Sequence, residues 1–161
     1  MIKDVVNIPV IAAGGIGCGR AMLAAISLGA DGVQIGSRFI ASDESSAHVN
    51  FKNRVVTAHE GETHLTLKEL TAVRLIKNKF YDQIQDAYAN DSNKDDLRKL
   101  LGRGRAKKGM FEGDLEEGEL EVGQVSAMIN SIMPVAEIIK EITDEYELER
   151  MKIISLKNFN V

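Results

Sequence analysis

Two stretches place glycine where an apolar strand stops and a new element begins: Ile8-Pro9-Val10-Ile11-Ala12-Ala13-Gly14-Gly15-Ile16 and Gly32-Val33-Gln34-Ile35-Gly36-Ser37-Arg38-Phe39. A strand that ends on glycine leaves backbone N–H groups uncovered, and a helix start beyond it favours negative charge. Ser37 adds a hydroxyl to the second corner. Two such corners one βαβ unit apart fall at the same C-terminal edge of a parallel sheet. Together they form half of a clamp suited to a phosphate group.

Other constellations are weaker. The run Gly14-Gly15-Ile16-Gly17-Cys18-Gly19 is dense in glycine, but Met22 or Arg20 stands where a dinucleotide fingerprint needs its third glycine. Asp31 precedes the second strand, whereas a ribose-binding carboxylate would sit at its end. His48 opens a helix and reads as a capping or packing residue rather than a base. His59 and His64 flank Gly61 beside Glu60 and Glu62 in an order that matches no zinc pattern, so no metal site is expected. The basic run Arg98, Lys99, Arg103, Arg105, Lys107 and Lys108 is followed at once by Glu112, Asp114, Glu116, Glu117, Glu119 and Glu121. Those acids neutralise it as a nucleic-acid patch. A cationic loop that draws in a nicotinamide phosphate or an acyl-carrier protein is the functional alternative to a solvated face.

The elements that position these residues follow from periodicity and caps. Pro9 opens the first strand, where its missing N–H costs least, and the continuous apolar run behind it fits a strand buried on both faces. Residues 20–28 form a short Ala- and Leu-rich helix that Gly29 releases toward a second strand from Gly32 to Ile35. Residues 45–58 read as a helix capped by Ser45 or Ser46, with Ala47, Phe51, Val55 and Ala58 on one face. Residues 72–89 carry Val73, Ile76, Phe80, Ile84 and Tyr88 at helical spacing. Gly109 to Gly123 mixes acids with glycines and reads as a surface loop. Pro134 starts a final helix reaching about Arg150, with Val135, Ile138, Ile139 and Ile142 as its buried stripe.

The chain has 161 residues, 44% of them hydrophobic, enough for one domain with a core. Its net charge of −4 argues against nucleic-acid binding, and it carries no long apolar run that would suggest a membrane segment. The single Cys18 forms no internal disulfide, so the cytoplasm is the expected compartment. Only two parallel strands are evident, whereas a closed parallel barrel needs eight βα units and about 250 residues. Either the chain is the C-terminal part of a larger protein, or a second copy covers its open sheet edges.

The strand-end pair, the stretch Glu44-Ser45-Ser46-Ala47-His48 with Phe51-Lys52, and the later Phe111-Glu112-Gly113-Asp114 and Val122-Gly123-Gln124-Val125 resemble the 2-nitropropane dioxygenase family. That family includes nitronate monooxygenases and the FMN-dependent enoyl-[acyl-carrier-protein] reductase. The resemblance implies an α/β fold, with residues 1–60 as the last two units of an FMN-binding (β/α)8 TIM barrel and residues 61–161 as a mainly helical cap. It implies that Gly14 and Gly15, then Gln34, Gly36 and Ser37, hold the FMN phosphate. Ser37 stands where most members carry threonine. NAD(P)H is the candidate electron donor, and the substrate is a small molecule. The family's catalytic histidine and ring-cradling segment lie upstream of the first strand, so no catalytic residue is expected within this chain, and the chain alone is expected to be inactive. The alternative of another class is a non-catalytic, self-associating module.

Overall fold

Three residues on each side suffice to pair the two glycine-ended strands. In the computed structural model, which describes residues 2–156, β1 (Ile11–Ala13) and β2 (Gly32–Gln34) run parallel, with Ile11 opposite Gly32, Ala12 opposite Val33 and Ala13 opposite Gln34. Helix α1 (Gly19–Ser27) crosses between them and ends at Leu28, with Gly29 in the left-handed region at φ 97°. Asp31 anchors the entry to β2. Its carboxylate accepts from Lys3 Nζ at 2.6 Å and from Val10 N–H at 2.7 Å, and these bonds hold its pKa below the ordinary range. The burial expected on both faces of β1 is not met, because β1 and β2 pair only with each other among the described residues. Ile11 is 54% exposed. An apolar cleft of about 490 Å³, lined by Val10, Ala12, Ile16, Ala21 and Leu28 among others, runs between β1 and α1.

After β2 the chain makes a single helical turn, α2 (Ser37–Ile40), and then α3 (Val49–Val56). Helix α3 starts later than its serines suggest. Ser45 Oγ accepts from Ala47 N–H in a local turn, and His48 is the cap, its Nδ1 accepting from Asn50 N–H at 3.1 Å. The helix predicted across residues 72–89 divides in two. Its first part is a strand, because Thr63–Thr66 (β3) offers an antiparallel partner to Val73–Ile76 (β4), and β-branched and aliphatic residues suit that pairing. Asn78 then restarts the chain as α4 (Lys79–Ala89), its side chain accepting from Tyr81 N–H at 3.0 Å. Asn93 caps α5 (Lys94–Leu101) in the same manner.

The stretch expected as a surface loop is packed. It opens with a π-helical turn at Lys107–Phe111, and residues 119–122 then lie against β4, with Ile76 N–H donating to Leu120 O and Val122 N–H to Arg74 O. A Cβ on Gly109 would fall 2.6 Å from Glu119 O, and one on Gly118 would collide with the backbone of Gly109. Glycine is therefore required here for close approach, the opposite of solvent exposure. Glu119 is carried inside by this packing, and burial, with Glu121 nearby, pushes its pKa up to about 7.

One core joins Phe51 and Val55 of α3 to Ile76, Leu120, Val122 and Ile129, and so draws on residues both before and after position 60. A second, formed by Leu67, Leu75, Phe80, Ile84 and Leu97, lies under the hairpin, α4 and α5. Helix α6 (Val135–Ser155) follows Pro134 and buries Ile138 and Ile142, while Ile139 of the expected stripe is half exposed. Gly19 lets α6 approach α1, since a Cβ there would clash with the backbone at Tyr146 and Ile142. No helix among the described residues is long and apolar enough to cross a membrane.

Candidate functional site

The register of β1 and β2 decides where the candidate residues go. Because Ala13 pairs with Gln34, the next residues of both strands, Gly14-Gly15 and Ile35-Gly36-Ser37, emerge side by side at one edge of the sheet. Gly14 and Gly15 take φ of 95° and 71°, which L side chains rarely adopt. A Cβ built on Gly14, Gly15 or Gly36 would meet nothing within 4 Å. These glycines therefore face open space, unlike Gly109 and Gly118. A backbone left bare toward an opening is what an anion needs if it is to be held by N–H groups. At the first positions of a helical turn, the N–H groups of Ser37 and Arg38 have no acceptor within the turn.

A third segment closes over these corners. Gly123 N–H donates to Ser37 Oγ at 3.0 Å, and Val125 lies where a Cβ on Gly17 would be. A short 3₁₀ helix, Gln124–Met128, continues from there. Between it and the turn at residues 60–61 lies a cleft of about 360 Å³ whose lining includes Gly15, Glu60, Gln124 and Met128. The Ser37 hydroxyl keeps its own hydrogen for a further acceptor. The stretch Val122-Gly123-Gln124-Val125 was visible in the sequence only as a family-like pattern. Its contact with Ser37 spans 86 positions and left no local signal.

One expectation about the site is corrected. The start of α1 is not available to an anion, because a carboxylate of the chain already occupies it. Glu145 of α6 accepts from Gly19 N–H at 2.6 Å and pairs with Arg20 at 2.9 Å. The preference of a helix start for negative charge is satisfied internally. Cys18 immediately precedes this start and caps nothing through its side chain.

The turn after the second strand is held from behind by two buried cations. Arg38, 5% exposed, donates to Ser131 O at 3.3 Å and lies 3.5 Å from both Ala41 O and Glu141. Lys52 of α3, 8% exposed, donates to Ser42 O at 2.6 Å and Asp43 O at 3.2 Å. Gln34, on β2, is exposed at the end of its strand.

The remaining candidates lie elsewhere. His48 stacks into the position a Cβ on Gly113 would take, so it serves as both cap and packing residue. His64 Nε2 lies 2.8 Å from Gly61 O, and its ring tilts against Tyr81. Glu62 is taken up by His59 N–H and Arg54, which lower its pKa. The basic run is largely paired: Arg105 with Glu117, Lys107 with Glu112 and Lys108 with Asp114. None of these groups is brought to the strand ends.

Comparison with known proteins identifies the family. The family model described as nitronate monooxygenase matches residues 1–145. A probable nitronate monooxygenase of Staphylococcus aureus (strain MSSA476) is 34% identical over 146 residues, covering 89% of this chain and 40% of that protein. Among solved structures, FabK from Thermotoga maritima superposes with a TM-score of 0.86 at 37% identity, covering 97% of this chain and 50% of FabK. Nitroalkane oxidase from Streptomyces ansochromogenes gives 0.71 at 29%, covering 94% and 43%. The chain thus spans half or less of the length of these relatives. With the family pattern running from residue 1 to residue 145, the chain belongs to the nitronate monooxygenase family of oxidoreductases.

Proposed function

We propose that this chain supplies the phosphate-binding end of an FMN site in an oxidoreductase of nitronate monooxygenase type. β1 and β2 are read as the last two strands of a (β/α)8 barrel. The observation that carries this reading is the pairing of Ala13 with Gln34, which puts Gly14-Gly15 and Gly36-Ser37 at one edge with open space before the glycines. Barrels of this class frequently hold phosphate at the loops after their last two strands and at the start of a short extra helix, and on this reading α2 would be that helix.

The residues present fit the group. Backbone N–H groups at Gly15, Gly36 and Ser37 would donate to the phosphate oxygens, the Ser37 hydroxyl would donate one further bond, and Gln34, exposed at the end of β2, would be free to add its side-chain amide. When bound, the flavin supplies transfer of electrons between a substrate carbanion, or NAD(P)H, and an acceptor. The chain's own residues hold and orient the phosphate and keep side chains out of its place. Proton transfer to or from substrate is assigned to no residue of this chain.

A titration tests the reading. Stoichiometric FMN binding to a yellow protein is expected. A colourless oligomer indifferent to FMN and phosphate would overturn it in favour of a self-associating module. Valine at Gly15 would also strain a φ of 71°, so Gly36→Val, at φ −110°, is the cleaner blocking variant. A second reading, enoyl reduction on an acyl-carrier protein, draws on a cleft of about 310 Å³ where Lys99, Arg103, Arg105 and Lys108 face the single acid Glu117.

A further inference from the structure

A four-residue turn is too short to hold itself in place, and the N-cap position before α2 is Gly36, which offers no side chain. What fixes the turn must come from outside it. Ser42 Oγ donates back to Phe39 O at 2.9 Å, and Asp43 N–H donates to Met133 O at 3.2 Å. The decisive bonds come from Lys52, ten positions downstream on α3, whose ammonium donates to Ser42 O at 2.6 Å and Asp43 O at 3.2 Å. Among the described residues Lys52 makes no ion pair, so a buried positive charge is compensated by carbonyl dipoles alone. A buried cation without a carboxylate is a poor device for stability. It is a good device for pinning a short segment of backbone in one position.

We infer that Lys52 is a positioning residue for the phosphate cradle: its ammonium ties the backbone at residues 42–43 to α3, and this fixes where Gly36 and Ser37 present their N–H groups. Arg38 assists from the other side through Ser131 O. The tether does not touch the phosphate. It acts through the backbone between Ser37 and Asp43, and α3 itself is anchored in the core by Phe51 and Val55. This inference rests on the FMN-phosphate reading above and adds to it the residue that keeps the cradle formed before the ligand arrives.

The experiment measures affinity for FMN and for riboflavin, which lacks the phosphate, on the whole chain and on Lys52 variants, with thermal melting alongside. The unaltered chain is expected to prefer FMN. Lys52→Met replaces the ammonium with an apolar chain of similar length, and is expected to lower the FMN-over-riboflavin preference about tenfold, the worth of a charge-assisted hydrogen bond, with a modest fall in melting temperature because Ser42 O and Asp43 O lose their donor. Lys52→Arg restores most of the preference, and Lys52→Gln, which keeps a donor without the charge, falls between. A preference unchanged in both Lys52→Met and Lys52→Gln overturns the inference. So does an equal loss of affinity for both flavins, which marks a merely structural lysine. If the unaltered chain shows no preference for FMN, the phosphate assignment fails first and the positioning role fails with it.

Discussion

The strand ends of β1 and β2 and the strap at residues 107–122 are both rich in glycine, yet they use it in opposite ways. At Gly109 and Gly118 the missing Cβ lets two pieces of backbone touch, and any side chain would have to displace main chain. At Gly14, Gly15 and Gly36 the missing Cβ faces emptiness. The strap is also saturated with side-chain bonds. Asn78 Nδ2 donates to Leu115 O and Gly118 O, Arg105 donates to Glu117 O, and Lys79 pairs with Glu117 at 2.5 Å. The strand ends have almost none beyond Ser37 with Gly123. Glycine in a sequence thus marks either a contact already made or one left to be made, and only the surroundings tell which.

That contrast is open to direct tests. The largest expected effect is Gly118→Ala, which should destabilise the fold by about 3 kcal/mol through overpacking against Gly109; a denaturant titration that finds it near neutral would erase the distinction. Next is Glu119→Gln. The folded pKa of Glu119, about 7, lies above its ordinary 4.5, so its carboxyl favours folding when protonated. Its contribution is fully present below about pH 4.5 and is lost as the pH rises toward 7. The glutamine variant should flatten stability across that window and be more stable than the parent at pH 8 by about 2 kcal/mol, as urea unfolding at several pH values will show. Glu145→Ala should cost about 1 kcal/mol by uncovering the start of α1. Smallest in stability is Gly36→Ala, within about 0.5 kcal/mol because its φ is negative and its surroundings are empty. The same substitution should weaken FMN binding, so a calorimetric titration that finds full affinity would move the cradle elsewhere.

The βαβ unit was legible because its signals are local: an apolar run, a glycine stop and an Ala-rich helix ended by Gly29. Pro134 likewise marked α6, though the helix extends to Ser155, past the expected Arg150. The hairpin was not legible, since Val73 and Ile76 fit a helical spacing as well as a strand, and only Thr63–Thr66 across the turn settles the matter. The strap misled because its acids suggested solvent while Leu120 and Val122 supplied the burial. At the site, Gly14, Gly15, Gly36 and Ser37 could be singled out from sequence, because backbone exposure follows from residue type. Glu145 could not, and Gly123 and Lys52 stood out only within family-like stretches, without their roles. Each acts through a contact between separate elements, and a carboxylate 126 positions from the amide it caps leaves no trace in either neighbourhood.

The Glu145 bond to Gly19 has a consequence for any ligand that arrives. Of two neighbouring helix starts, those of α1 and α2, the first is closed by the protein's own acid. If the proposed cradle takes the charged tail of a ligand, that tail has one berth rather than two, and the rest of the molecule must extend away from it. On that proposal, polarity of docking would be set by an occupied seat as much as by an empty one.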